Sequence, residues 1–116
     1  MAVFQYSEDE ELYLAMIGGV EFVSEEEPEL REEEVCKLAR SYQENLPRIL
    51  EFMLPALEEF YGTLDKAELP KALGQPRIDL DTSEVTYCEH TLDETHVFGF
   101  EFYDDFETLE NFTIDG

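Results

Sequence analysis

The residue types best suited to chemistry lie together in one stretch, residues 86–96, which reads "TYCEHTLDETH". It holds both histidines of the chain, His90 and His96, and one of its two cysteines, Cys88. Imidazole and thiolate groups bind zinc, and they also serve as acids, bases and nucleophiles in catalysis. The stretch therefore raises two chemical hypotheses, a metal centre and a Cys–His catalytic pair, beside the simpler interpretation of a turn between two strands.

The metal hypothesis depends on Cys88, His90 and His96, with Asp93 and Glu94 between them. The spacing C-x-H-x5-H matches no common structural or hydrolytic zinc pattern. The second cysteine lies far away along the chain, in a helical pattern. We therefore predict no metal site and no cofactor. A metal-binding protein or metal-dependent enzyme built on the three residues is kept as the alternative hypothesis.

The catalytic hypothesis meets a similar difficulty. A reactive cysteine usually lies in an electropositive environment, whereas Cys88 is surrounded by acidic residues that disfavour the thiolate. No combination of nucleophile, base and orienting group stands out. We predict no catalytic residues and a protein that is not an enzyme. The polar segment 91–95 is then a hairpin loop, and loops held by a rigid sheet often carry binding residues.

The charge of the chain limits the partners it can bind. Its 116 residues include 30 acids and 7 bases, a formal net charge of −23. Such a surface disfavours nucleic acids and anionic membranes, which are polyanions, and favours a basic protein partner. The length predicts a single domain, 1–116. A secretory signal and a membrane-spanning run are not apparent, so a cytoplasmic protein is expected.

Charge and hydrophobic pattern divide the chain into three zones. Residues 1–30 carry no base and predict strands, with Gly18-Gly19 as a two-residue hairpin turn and residues 2–6 as a further edge strand. Residues 31–77 carry all seven bases and an apolar stripe of helical period. Residues 78–116 again carry no base and alternate as strands, with Asp104-Asp105 at a turn.

The helical zone contains Pro47 and Pro55, each of which removes a backbone donor. We therefore predict that Asn45 ends one helix and caps the next, and that Pro55 kinks this second helix or starts a third segment. A short helix is expected to follow over residues 64–73. The order of zones predicts an α+β fold. An antiparallel β-sheet, formed by an N-terminal hairpin and a C-terminal meander, would carry the helical segment packed on one face.

Several segments together carry a resemblance. These are the "GG" hairpin, the helical stretch "CKLARSYQENLPRILEFMLPALEEFYG", the "D-E-x-H" of Asp93, Glu94 and His96, and the closing "NFTIDG". The chain resembles small acidic bacterial proteins of unknown function. Some proteins of that wider group are immunity proteins against polymorphic or contact-dependent growth-inhibition toxins. The resemblance implies a cytoplasmic protein without catalytic residues that binds and blocks a basic toxin domain, such as a nuclease.

Candidate partner-binding residues come from the last zone. The exposed acids are expected to be Asp93, Glu94, Asp104, Asp105 and Glu107, and the aromatic anchors Tyr87, Tyr103 and Phe106. A homodimer formed through a sheet edge is a further option. An acidic scaffold with another partner is the remaining alternative, and the sequence does not distinguish it from an inhibitor.

Overall fold

A computed structural model describes residues 4–26 and 32–115, which form one seven-stranded sheet and two helices. The strands are β1 (Gln5–Ser7), β2 (Leu12–Ile17), β3 (Val20–Ser24), β4 (Arg77–Asp79), β5 (Glu84–Tyr87), β6 (Val97–Tyr103) and β7 (Thr108–Asp115), and the helices are α1 (Glu32–Tyr61) and α2 (Leu69–Leu73). The strands follow one another across the sheet in chain order. The α+β fold is confirmed.

One pair of strands departs from the predicted antiparallel sheet. β3 and β4 are parallel, whereas every other neighbouring pair is antiparallel. The two helices lie between β3 and β4 in the chain. They carry the chain from the C-terminal end of β3 back to the level where β3 begins, so that β4 can run in the same direction, and a parallel pair requires such a crossover. The helical zone thus joins the hairpin half of the sheet to the meander half.

The predicted glycine hairpin is confirmed. Ile17 pairs with Val20, and the two residues between them, Gly18 and Gly19, have φ values of 58° and 77°. Both turn positions of a type I′ hairpin need positive φ, which glycine adopts without steric cost. The predicted edge strand over residues 2–6 is found as β1, while residues 2 and 3 lie outside the described residues.

The predicted break in the helical zone is wrong, because α1 continues for 30 residues through Pro47 and Pro55. Asn45 does not cap a second helix; its side chain donates to the Ser41 carbonyl within the same helix. Each internal proline costs about 3 kcal/mol. Burial of each large apolar side chain contributes about 1.5–3 kcal/mol. The buried set outweighs two prolines: Val35, Ala39, Tyr42, Ile49, Leu50, Met53 and Leu57.

The helices cover one face of the sheet, as predicted. Phe22, Ile78, Val85 and Phe100 are neighbours across four strands, so they share a face, and all four are buried. Side chains of α1 and α2 belong to the same buried cluster. The residues that alternate with this set point to the opposite side of the sheet, called the open face below.

The C-terminal strands match the predicted meander except at the end of β5. Phe98, Phe100 and Phe102 are buried on one face of β6, as the alternation predicts. β5 ends at Tyr87, whereas a hairpin loop over residues 91–95 requires the strand to continue to His90. Residues 88–96 therefore form a longer loop than predicted.

Candidate partner-binding face

The open face carries a row of acids that lie directly opposite one another on four adjacent strands. β4 pairs with β5 at Asp79 and Glu84, β5 pairs with β6 at Glu84 and Glu101, and β6 pairs with β7 at Glu101 and Glu110. Side chains opposite each other are about 5 Å apart, and like charges in such positions destabilise a sheet. We call this set the acidic row: Asp79, Glu84, Glu101 and Glu110.

Two polar neighbours hold the centre of the acidic row in place. The Tyr103 hydroxyl donates to Oε1 of Glu101 at 3.0 Å, and the Asn111 amide donates to Oε2 of the same carboxylate. The hydrogen bond to Glu101 raises the pKa of Tyr103, and burial and the negative charges of Glu101, Glu110 and Glu84 raise it further. The row thus concentrates negative potential around an aromatic ring that is 41% exposed.

Arg77 lies on the open face beside this row, but it is occupied by other acids. Its guanidinium donates to Glu10 at 2.8 Å and to Glu21 on the neighbouring strand. Burial lowers the pKa of Arg77, and the bonds to the two carboxylates more than offset that effect. Arg77 therefore neutralises the β3 side of the face, and its described ion pairs do not include the acidic row.

The other half of the open face, over β1 to β3, is mostly apolar. Leu14 is half-buried and Met16 beside it is 58% exposed, whereas Val23, which pairs with Leu14, is only 3% exposed and adds no area for a partner. Gln5 and Ser7 of β1 complete a shallow groove next to Leu14 and Met16. The open face therefore combines an apolar area with an acidic area, the combination found in protein interfaces with an apolar centre and a polar rim.

The turn between β6 and β7 displays the predicted acids Asp104, Asp105 and Glu107 to solvent. Asp104 and Asp105 have positive φ values of 54° and 53°, and Phe106 follows at 73°. Arg48 of α1 holds the turn by donating to the carbonyl oxygens of residues 106 and 107 at 3.0 and 2.8 Å. The turn follows Tyr103 at the end of β6, and its bonds to Arg48 place its backbone beside α1, on the helix side of the sheet.

Two of the three predicted aromatic anchors are corrected by the structure. Tyr87 and Phe106 are fully buried, so they present no area to a partner. Phe106 stacks on Phe102 at a centroid distance of 4.2 Å, which offsets the cost of its positive φ. The Tyr87 hydroxyl hydrogen-bonds that of Tyr42 at 2.6 Å. Tyr103 is the predicted anchor that is exposed.

Asp93, predicted as a contact residue, holds the loop between β5 and β6. It accepts hydrogen bonds from the backbone N–H groups of Thr95 and His96, at 3.0 and 2.9 Å, and from the Tyr61 hydroxyl. The two backbone N–H groups bond Oδ1, whereas Tyr61 bonds Oδ2, which also lies 2.7 Å from Nδ1 of His96. Partial burial favours a higher pKa for Asp93, but these hydrogen bonds together bring the pKa well below its usual range. Glu94 beside it is exposed.

The structure does not bring Cys88, His90 and His96 together as ligands. His90 is buried and stacked on Phe98, where its Nδ1 accepts from the Leu92 N–H and its Nε2 bonds the carbonyl of His96. Cys88 is exposed and lines a small pocket beside Arg77, and neither histidine lines that pocket. Among residues 4–26 and 32–115, no group of three or more His, Cys, Asp or Glu side chains is arranged to hold a metal ion.

The acidic row itself was not predicted. Each of its members alternates with an apolar residue along its strand, as in Ile78-Asp79-Leu80 and Phe100-Glu101-Phe102, and this places them on the solvent side. The alignment of four strands depends on register, which the alternation within one strand does not fix. A search for acids alternating with apolar residues would have identified the members, but not their arrangement in a row.

No helix in the described parts of the chain combines the length and the apolar character needed to span a bilayer. Comparison with protein-family models, with curated proteins and with solved structures finds no match.

Proposed function

We propose that this chain is a non-catalytic binding protein that captures a basic protein partner on the open face of its sheet. The observation that supports the proposal is the acidic row, in which three successive strand pairs place carboxylates opposite each other. Each such pair costs stability, on the order of a few tenths of a kcal/mol. A basic partner would turn that cost into affinity and faster association.

The neighbouring features suit a protein partner better than a small ligand. Tyr103 offers an exposed aromatic ring, and Leu14 and Met16 offer apolar area next to the acids. Protein interfaces commonly place aromatic and apolar side chains at the centre and surround them with a rim of charged and polar residues. The resemblance to toxin-immunity proteins agrees with this, since a nucleic-acid-cutting toxin has a basic face that an acidic protein could cover. On this proposal the protein is a cytoplasmic inhibitor.

The proposal is tested by reversing charge in the acidic row. The protein is used to capture partners from a lysate of the source organism at low salt, and the affinity of the captured basic protein is measured for the variant Glu84→Lys/Glu101→Lys. We expect the variant to bind at least tenfold more weakly and to associate more slowly, because steering depends on the local field. A captured toxin should also be harmful when expressed alone and harmless when expressed with this protein.

Two comparisons make the result specific. Glu59→Lys changes an exposed acid on α1, across the molecule from the open face, and should leave the affinity within about twofold. Asp104→Lys/Asp105→Lys/Glu107→Lys tests the predicted turn acids, which we also expect to weaken binding at least tenfold. Equal effects of Glu59→Lys and of the row variant would show a general charge effect and contradict the proposed face.

A further inference from the structure

One edge of the sheet is suited to pairing with another strand. β7 is the last strand in the order, and its eight residues make it longer than β1, the three-residue strand at the other edge. β7 contains no proline and no lysine, two residues by which proteins commonly protect an edge strand. A β-bulge at Asn111, where φ is 54°, interrupts its pairing with β6, and the strand is regular on either side of it. Within the described residues, no strand pairs with its outer side.

The two sides of β7 present different chemistry. The acidic row ends on this strand at Glu110, with Asp115 further along the same strand. The helix side carries Leu109, Phe112 and Ile114, which are partly buried and pack against the core. Phe112 lies edge-on to Phe52 of α1, at a centroid distance of 6.3 Å. A strand added beside β7 would therefore meet carboxylates on one side and apolar side chains on the other.

We propose that β7 is the docking edge for an extended segment of the partner in which basic and apolar residues alternate. This inference rests on the proposed function and specifies its geometry. Side chains of a strand point alternately to the two faces of a sheet. The basic side chains of the added strand would continue the acidic row opposite Glu110, while the apolar ones would cover Phe112 and Ile114.

Charge identifies the occupant of this edge. A second copy of the chain would also carry −23, and pairing two β7 strands would bring further carboxylates to Glu110 and Asp115. Self-repulsion of this kind opposes association. A basic segment gains from the same charges. The predicted homodimer through a sheet edge is therefore less favoured at β7 than pairing with a basic strand.

The test uses a fluorescent peptide of about eight residues that alternates lysine and valine, matching the length of β7. Two further peptides carry N-methyl groups on alternate backbone amides, one on the lysines and the other on the valines. Antiparallel pairing is the more stable arrangement, and alternate amides of a strand point to opposite edges. In an antiparallel strand with its lysines on the side of Glu110, only one set of amides therefore faces β7. We expect one methylated peptide to bind at least tenfold more weakly than the parent peptide, and the other to bind as the parent does.

Equal binding by the two methylated peptides would overturn antiparallel strand addition, as would no binding by the parent peptide. Amide hydrogen exchange adds a second readout. The parent peptide should slow exchange in β7, and the inactive methylated peptide should not. Slow exchange that depends on protein concentration without peptide would identify a second copy as the occupant and also overturn the inference.

The two proposals fail in different ways. If Glu84→Lys/Glu101→Lys loses the native partner but the methylated peptides bind equally, the open face is the interface and strand addition is wrong. If the native partner binds regardless of the row charges, the proposed function is wrong whatever the peptides do. Glu110→Lys should lower the affinity of the parent peptide at least tenfold, because it removes the carboxylate that faces the added strand. Glu59→Lys is the control and should leave that affinity nearly unchanged.

Discussion

A single carboxylate, Asp93, fixes the conformation of the loop that joins β5 to β6. It accepts from two backbone N–H groups and from Tyr61 of α1, so it ties the loop to the helix. Burial, followed by the hydrogen bond to Asp93 and its charge, raises the pKa of Tyr61 to about 12. Tyr61 thus remains a proton donor, and Asp93 an acceptor, throughout the neutral range. Asp93 therefore stabilises the folded arrangement of this loop against α1.

We predict that Asp93→Asn lowers the urea midpoint of unfolding at neutral pH. The midpoint of the variant should also change less than that of the native protein as the pH is lowered. The folded pKa of Asp93 lies below the value near 3.9 typical of an unfolded chain. Its stabilisation is therefore present above about pH 4 and is lost as the pH falls through the folded pKa. Tyr61 gives the opposite sign, because stabilisation from its raised pKa is lost as the pH rises through about 12.

The measurement is the urea midpoint of the native protein and of each variant from neutral to acidic pH. Glu94→Gln is the matched control, since Glu94 is exposed and adjacent in sequence. It should leave both the midpoint and its acid dependence nearly unchanged. A similar loss in the two variants would mean that the hydrogen bonds of Asp93 do not hold the loop.

At the scale of elements, α2 and the loop after β5 meet at Gly74. This residue has φ 73° and ψ −153°, a conformation open essentially to glycine alone. An added Cβ would lie 2.9 Å from the carbonyl oxygen of Glu89. Thr91 on the same loop donates its N–H to the carbonyl of Ala72 at 2.8 Å. Backbone therefore packs directly on backbone at this point.

We predict that Gly74→Ala destabilises the fold by on the order of 3 kcal/mol, because backbone strain and steric overlap add. Gly62→Ala is the control. Gly62 has φ 88°, but an added Cβ there meets nothing within 4 Å, so only strain remains, about 1 kcal/mol. Equilibrium urea unfolding measures both. Equal losses would show that the contact with Glu89 is relieved without cost.

The sequence predicts elements well where the signal is local. The Gly18-Gly19 turn, the alternation of Phe98, Phe100 and Phe102, and the turn at Asp104 all depend on neighbouring residues, and all are found. The break at Pro47 fails because the tertiary burial of α1 outweighs a local cost. The positions of Tyr87 and Phe106 fail for the same reason, since aromatic type does not say which side of the sheet is covered.

At the scale of the whole molecule, the charge zones of the sequence become surfaces. The strands of the two acidic zones form the sheet, and the helices, which contain most of the bases, cover its other face. Arg77, the base found on a strand, lies where the two halves of the sheet join and binds acids of the first zone. The uneven distribution of charge along the chain thus becomes a difference between the two faces of the fold.

This arrangement predicts that stability and partner binding respond in opposite directions to charge removal. Glu84→Gln takes one carboxylate from between Asp79 and Glu101, and should raise stability at low salt by about 0.2–1 kcal/mol. Glu44→Gln removes the same charge from the exposed side of α1, where Arg40 and Arg48 lie one helical turn away, and should give no gain in stability.

Added salt should stabilise the native protein and reduce the stability advantage of Glu84→Gln, because screening weakens the repulsion between the carboxylates of the acidic row. The measurements are urea midpoints at low and high salt, together with the association rate of the basic partner, which should fall for Glu84→Gln. A Glu84→Gln variant that is no more stable than the native protein at low salt would show that the acids of the row do not repel one another, and would remove the energetic argument for a basic partner.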